Sequence, residues 1–287
     1  MVERETHILY AGGSIPPIAT RGVEQFGCAR WAHNPEAVGS NPTSATMVNG
    51  RGAWNVSGLG GTKQYKDETT PGPYYYLGTG ADIDVNDPNQ YAVRGAVMAY
   101  QRALTRRLNT DLLIDGNFGT KTSAAVLVFQ KAHESVTGTP WGGIGPDTSE
   151  ALLYPDLKRA WKRRAITELP LDVVSGTIRH ESNWDAGAVG YIDPRDVGLA
   201  QINADAHPEW DTDTRLQPIN AFNFVIKYYN ANIPYFKGNV RDAIASYNLG
   251  RGGANSWINA GRPEFWTPDG STTERNVKAY IDSILQG

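Results

Sequence analysis

The stretch TIRHESNW, residues 177–184, sets Glu181 at the end of an otherwise apolar run. Leu171, Val174, Ile178 and Glu181 follow one another at spacings of three, four and three, so on a helix the carboxylate shares the face that enters a core. Desolvation disfavours the charged form of such a group, moves its pKa toward neutrality and fits it to donate a proton. A buried, paired structural glutamate is the competing reading.

Two further segments supply groups that could hold a polar substrate. DVGLAQIN, residues 196–203, offers a second carboxylate, Asp196, ahead of a glycine. It continues in an apolar-Gln-apolar alternation suited to a short strand lining a cleft. On such a strand Gln201 and Asn203 face one side and present amides to sugar hydroxyls and acetamido groups. VRDAIASYNLGRGGA, residues 240–254, places Val240, Ala243, Ile244 and Tyr247 on one helical face, with Asn248 and Gly250 as a C-terminal stop.

ESNW, GLAQIN and ASYNLG, in that order and with LQPINAFNFVIKYY between the last two, resemble the catalytic domain of soluble lytic transglycosylases and goose-type lysozymes. The resemblance runs from Ala165 to the C-terminus, and we place the domain at 167–287. It implies a mostly helical α+β fold with a small β element. It also implies a general-acid role for Glu181, with glycan contacts from Gln201, Tyr247 and Asn248. Asn203 joins these as a further amide, and Ser182 matches the family's Glu-Ser pair. The pairing of ESN with DVGLAQIN is also similar to the two carboxylates of animal c-type lysozymes, with Asp196 as the second acid. Arg195 and Asp196 depart from the small Gly-Ala usual in the transglycosylase motif, and Ala200 replaces its Met. A hydrolase commonly uses two carboxylates, whereas a transglycosylase needs one acid/base and lets the sugar's own hydroxyl displace the leaving group. The expectation is therefore muramidase-type hydrolysis of the β-1,4 bond between N-acetylmuramic acid and N-acetylglucosamine, catalysed by Glu181 and Asp196. A lytic transglycosylase leaving 1,6-anhydro ends is the alternative, and a non-catalytic wall-binding virion protein the second.

Upstream, Val97, Gln101, Leu104 and Leu108 predict one inward helical face. The two-glycine turn DGNFGTKT leads into SAAVLVFQKAH, whose Ala125, Val128 and Phe129 predict a second face. GIGPDTSEALL repeats the device, with Asp147 or Thr148 capping a short third helix through Leu153. AYQRAL, IDGNFGTKTSAAVLVFQKAH and GIGPDTSEALL together resemble the three-helix peptidoglycan-binding domain attached to many cell-wall enzymes, here at 91–155. LKRAWKRRA then reads as a basic linker helix, 156–166, either a solvated face or an attraction for anionic wall polymers.

Residues 91–164 carry 11 Lys/Arg against 6 Asp/Glu, and residues 165–287 carry 10 against 15. A basic unit beside an acidic one suits an anionic polymer as partner of the first. That partner is expected to be peptidoglycan, with no nucleic acid, and the chain a monomer. No apolar run approaches the ~18 residues of a membrane span. His133, His180 and His207 form no zinc-ligand pattern, and Cys28, the single cysteine, has no place as a nucleophile in the downstream domain. No metal or cofactor is expected. DIDVND, residues 82–87, begins like a calcium loop but lacks its sixth-position Gly and has Val93 at the twelfth, so an exposed turn is expected. A binding unit followed by a lysozyme-like domain, without a basic-then-apolar signal in residues 1–20, resembles phage endolysins. That implies synthesis in a host bacterium's cytoplasm and action on the wall after release.

Residues 47–90, rich in Gly, Pro and Tyr, read as an irregular lead-in. Residues 30–47 have neither helical nor strand periodicity. With one choice of synonymous codons Trp31–Pro35 can be written TGG GCT CAT AAC CCA, a hairpin of TGGG with CCCA. Val38–Thr43 can likewise be written GTC GGT TCG AAT CCG ACC, a hairpin of GTCGG with CCGAC. These look like the anticodon and T arms of a methionine tRNA, and Thr46–Met47 as ACC ATG holds a terminal CCA and a start codon. Residues 1–46 are accordingly expected to be a misread tRNA gene, or else a disordered tail, with translation starting at Met47. The gene's nucleotides for this stretch should fold as a full cloverleaf, and a chain begun at Met47 should keep full activity. A nucleotide sequence without the paired arms would end the idea.

Overall fold

The computed structural model describes residues 88–166, 168–190, 194–268 and 274–286. The readings of residues 1–46, of most of the lead-in, of Cys28 and of the DIDVND turn lie outside them. The described chain is mainly helical with small β elements, in agreement with the expected fold class. Its helices are α1 (Pro88–Leu108), α2 (Thr120–Ala132), α3 (Glu134–Thr137), α4 (Pro146–Arg164), α5 (Leu171–Ser182), α6 (Thr212–Leu216), α7 (Pro218–Tyr235), α8 (Val240–Asn259) and α9 (Val277–Gln286). Two antiparallel ribbons complete it: β1 (Asp196–Val197) with β2 (Ile202–Asn203), and β3 (Phe265–Trp266) with β4 (Arg275–Asn276).

Two buried glutamines organise the first unit. Gln101 on α1 donates to the Asp115 carboxylate and the Asn117 carbonyl, and its own carbonyl accepts from the amides of Asp115 and Gly116. Gln130 on α2 does the same for the next turn, donating to the Gly143 carbonyl and accepting from the amides of Trp141 and Gly142. Each side chain satisfies backbone groups that a turn leaves unpaired. The α2 face differs from the expected one. Thr122, Ala125, Val126 and Phe129 face inward, while Val128 is 57% exposed.

The boundary expected near residue 155 falls inside a helix. α4 starts at Pro146, with Gly145 rather than Asp147 or Thr148 as N-cap, and runs unbroken through Pro155 to Arg164. The short third helix and the basic linker are thus one element. Leu152, Leu153, Leu157 and Ala160 are buried along one stripe that crosses the proline, while Pro155 itself faces solvent. A proline inside a helix costs about 3 kcal/mol. Burying several leucines at roughly 1.5–3 kcal/mol each outweighs that. Part of the basic charge is also neutralised, because Asp156 pairs with Arg106, Arg107 and Arg159.

One apolar core extends from Val93 on α1 to Ile284 on α9. Within it α4 packs along α7, and α9 along α5. The α5–α9 crossing is unusually close at Gly176, where an added Cβ would lie 2.1 Å from the Ile284 carbonyl oxygen. In an exposed helix, Gly→Ala stabilises by roughly 0.8–1 kcal/mol. At Gly176 the backbone of α9 must move instead, and overpacking of this kind costs roughly 1–3 kcal/mol. Gly176→Ala is therefore expected to lower stability, read as a drop in the urea midpoint at unchanged slope. A rise in that midpoint would contradict the packing described.

Candidate active site

Glu181 sits in the last turn of α5, on the buried face with Val174 and Ile178, and is 7% exposed. Its Oε1 accepts a 2.8 Å hydrogen bond from the hydroxyl of Tyr280, carried on α9. Burial pushes the Tyr280 hydroxyl well above the usual phenol range, and the charges of Glu181 and Tyr229 push it further. Tyr280 therefore stays protonated and donates to the carboxylate. Tyr229 on α7 is shifted upward as well, chiefly by burial; its bond to Thr177 works against the shift and the charge of Glu181 with it. Thr177 gives its proton to the Val173 carbonyl 2.8 Å away, so the Tyr229 hydroxyl donates to Thr177 across their 2.8 Å contact. A carboxylate at the edge of a tyrosine-lined interior results. Ser182 points elsewhere, its hydroxyl returning to the Ile178 carbonyl.

The GLAQIN segment is a hairpin and not an extended strand. Residues 198–201 form its turn, with Gly198 at φ 73° and Gln201 at φ 48°. A Cβ on residue 198 would lie 2.7 Å from the Arg215 carbonyl oxygen, so the turn needs glycine for space as well as for φ. Gln201 donates to the Gly198 carbonyl at 2.9 Å. The expected pairing of Gln201 and Asn203 on one cleft-facing side is not what the hairpin forms. Asn203 donates to Asp196 Oδ1 at 2.8 Å and accepts from the amides of Asp205 and Ala206, so both ends of its amide are used within the protein.

Asp196, expected as the second acid of a cleft, lies inside at 1% exposure. Besides Asn203 it faces the charge of buried Arg215, whose guanidinium burial pushes below its usual range while Asp196 and Asp211 oppose the shift. Arg215 in turn donates to the carbonyls of Arg195 and Ile202 and to Thr212, which ties α6 to both strands of the hairpin. Asp196 and Asn203 thus belong to a polar brace under the hairpin.

On α8, Tyr247 donates to the Ala200 carbonyl at 2.9 Å, which joins the hairpin turn to the helix, and it stacks on Tyr229 at 5.9 Å. The expected stop at Gly250 appears as a break, φ 70° and ψ 163°, after which a second helical stretch reaches Asn259. Asn248, beside that break, accepts from buried Arg275 at both its backbone carbonyl and its side-chain oxygen. Tyr247 thus links the Gln201 turn to Tyr229, which feels the charge of Glu181, while the side chains of Asp196 and Asn203 bond to each other.

Sequence reasoning missed Tyr280, Tyr229 and Arg275. The signal for Tyr280 was its place on the stripe Val277, Tyr280, Ile281, Ile284, which carries a phenol on a helix face that is otherwise apolar. Among the described residues no helix is long and apolar enough to cross a membrane, and no group of three His, Cys, Asp or Glu could hold a metal ion.

Residues 160–264 match the family model described as the Transglycosylase SLT domain. The chain is a peptidoglycan-acting enzyme of the lytic transglycosylase and lysozyme-like kind. No curated protein and no solved structure matches it. The matched segment begins inside α4 and ends before β3. Tyr280, which bonds Glu181, and Arg275, which bonds Asn248, thus lie outside the matched segment of this transglycosylase-like enzyme. A hydrogen bond to a charged group contributes about 1.5–3 kcal/mol. Tyr280→Phe keeps the ring and removes that bond, so peptidoglycan cleavage should fall about tenfold or more in kcat with KM little changed. Unchanged steady-state kinetics would remove Tyr280 from the site.

Proposed function

We propose that the enzyme is a lytic transglycosylase that cleaves the β-1,4 bond between N-acetylmuramic acid and N-acetylglucosamine, with Glu181 as its single acid/base. The supporting observation is the contrast between the two carboxylates. Glu181 keeps 7% of its surface exposed, while Asp196 keeps 1% and is bonded to Asn203. A hydrolase that uses two carboxylates needs both beside the scissile bond, about 5–9.5 Å apart and open to the sugar. Departure from the family motif at Asp196 favours hydrolysis on sequence alone; its burial favours the one-acid route.

In that route the protonated Glu181 gives its proton to the glycosidic oxygen as the bond from C1 of the muramic acid breaks. The C6 hydroxyl of the same sugar then attacks C1, and its proton returns to the Glu181 carboxylate. The 1,6-anhydro end forms without added water. Tyr280 supports the half of the cycle in which Glu181 is charged. Residues 91–155, by their resemblance to the three-helix wall-binding domain, serve to hold the polymer.

Mass spectrometry of digested wall separates the chemistries. Anhydro ends, 18 Da lighter than the hydrolysed fragments as the loss of one water requires, are the expected product. Glu181→Gln should lower kcat by about 10² to 10⁴-fold while folding and wall binding persist. Asp196→Asn should cost stability, because Arg215 loses its buried counter-charge, and leave the rate per folded molecule within about tenfold. Reducing ends with water added, together with a collapse of rate in folded Asp196→Asn, would return the enzyme to the two-carboxylate hydrolases.

A further inference from the structure

We propose that Tyr100 and Ser149, in the segment that resembles a wall anchor, are positioning residues for cleavage. They fix the turn that ends the helix carrying Glu181. The proposal rests on the reading of Glu181 as the acid.

The turn after Glu181 is conformationally costly. Asn183, the C-cap of α5, has φ 51° and Trp184 has φ 61°. Asparagine adopts the left-handed region readily, but a bulky residue there is an outlier that persists only where its surroundings over-determine it. Trp184 is buried, and its ring packs against Tyr154 of α4 and Phe222 of α7. Its backbone carbonyl accepts from the Ser149 hydroxyl at 2.5 Å. The same Ser149 hydroxyl also donates, at the longer distance of 3.1 Å, to the Tyr100 hydroxyl oxygen. The Tyr100 oxygen in turn accepts from the Ala186 amide at 3.1 Å. Two side chains of α1 and α4 thus hold the backbone of Trp184 and of Ala186, on either side of Asp185.

A second grip acts on the other side of the carboxylate. Arg179, two residues before Glu181, meets both oxygens of Glu150 at 2.7 and 2.9 Å, and Glu150 is the neighbour of Ser149 on α4. The first half of α4 therefore brackets Glu181 from Arg179 to Trp184. If these contacts were only glue between two units, any point on the shared surface would serve. Other contacts do join the parts elsewhere, Tyr91 to Asp213 and Arg102 to Gln217, but Tyr100, Ser149 and Glu150 act on the last turn of α5 and on the strained residues beyond it, where a displacement moves the carboxylate directly. A shift of about 1 Å at a reacting group can cost as much as 10²-fold in rate.

The test uses the full chain with Tyr100→Phe, which keeps the buried ring, and Ser149→Ala, which removes the donor to Trp184. Both are assayed on purified peptidoglycan well below the melting temperature, with circular dichroism reporting the folded fraction. Each should lower kcat about tenfold per folded molecule, leaving KM and retention on the wall unchanged. Because the two act as one network, the double variant should be no slower than about the worse single. Adding Tyr100→Phe to Glu181→Gln should cause no further loss. Unchanged kcat, a loss confined to KM or to wall retention, or a loss matched by the fall in folded fraction would overturn the proposal. So would a full further loss in the Glu181→Gln background. Activity of Glu181→Gln alone would instead strike at the reading of the acid.

Discussion

Holding a carboxylate almost out of water is the constraint on which the rest of this molecule depends. An unpaired buried charge costs several kcal/mol, so the chain must bring a donor to Glu181 without filling the space a substrate needs. The donor is a phenol, Tyr280, ninety-nine residues further on. A phenol donates one proton and carries no formal charge, so it supports the ionised acid without pinning it as a salt bridge would. A cation in the same place would favour the charged form so strongly that the group could no longer give up a proton near neutral pH. Arg275, a buried cation that feels the charge of Tyr280, donates to Asn248 instead.

That choice dictates the packing. Tyr280 reaches Glu181 because α9 crosses α5 where residue 176 has no side chain, so that the Ile284 carbonyl can approach the helix backbone. Tyr229 adds a second buried phenol, and its hydroxyl is turned to Thr177 rather than to the acid. Tyr247 spans from that stack to the hairpin turn. The aromatic interior is thus continuous from α7 through α8, and each hydroxyl has a named acceptor. An unsatisfied hydroxyl so deep would be costly, and one satisfied by Glu181 would compete with Tyr280.

What the sequence disclosed and what it hid follow from the range of the interactions. Spacing along α5 places Glu181 on a buried face, because helical periodicity is local and twelve residues suffice to express it. The order of three short segments discloses the family likeness for the same reason. The burial of Asp196 was not legible, because a two-residue strand has too little periodicity to say which side faces solvent. Its enclosure depends on Arg215, which sits on a separate helix. The bonds of Asn203 were hidden with it, since they run to Asp196 and to the amides of Asp205 and Ala206 within the hairpin region. Val128 failed although Ala125 and Phe129 are buried as expected, because the face extends to Thr122 and Val126 and leaves Val128 outside. Pro155 hides the continuity of α4, because the leucine stripe that overrides it is legible only once α7 is known to lie against it.

The continuity of α4 bears on how such a chain came to be arranged. A tethered anchor needs a flexible joint and little shared surface, so that either part folds alone. Here the match to the catalytic family begins inside α4, yet the half of that helix lying before the match supplies Ser149 and Glu150 to the end of α5. Leu152, Leu153 and Leu157 carry one core from α1 into the catalytic helices. A core shared in this way couples the two parts energetically, because loosening one exposes apolar surface of the other. The acid then inherits its rigidity from a segment that contributes no chemical group to the reaction. A strained turn beside the acid is tolerable in this setting, since the helices that hold it are fixed by burial over their whole length rather than by the turn itself.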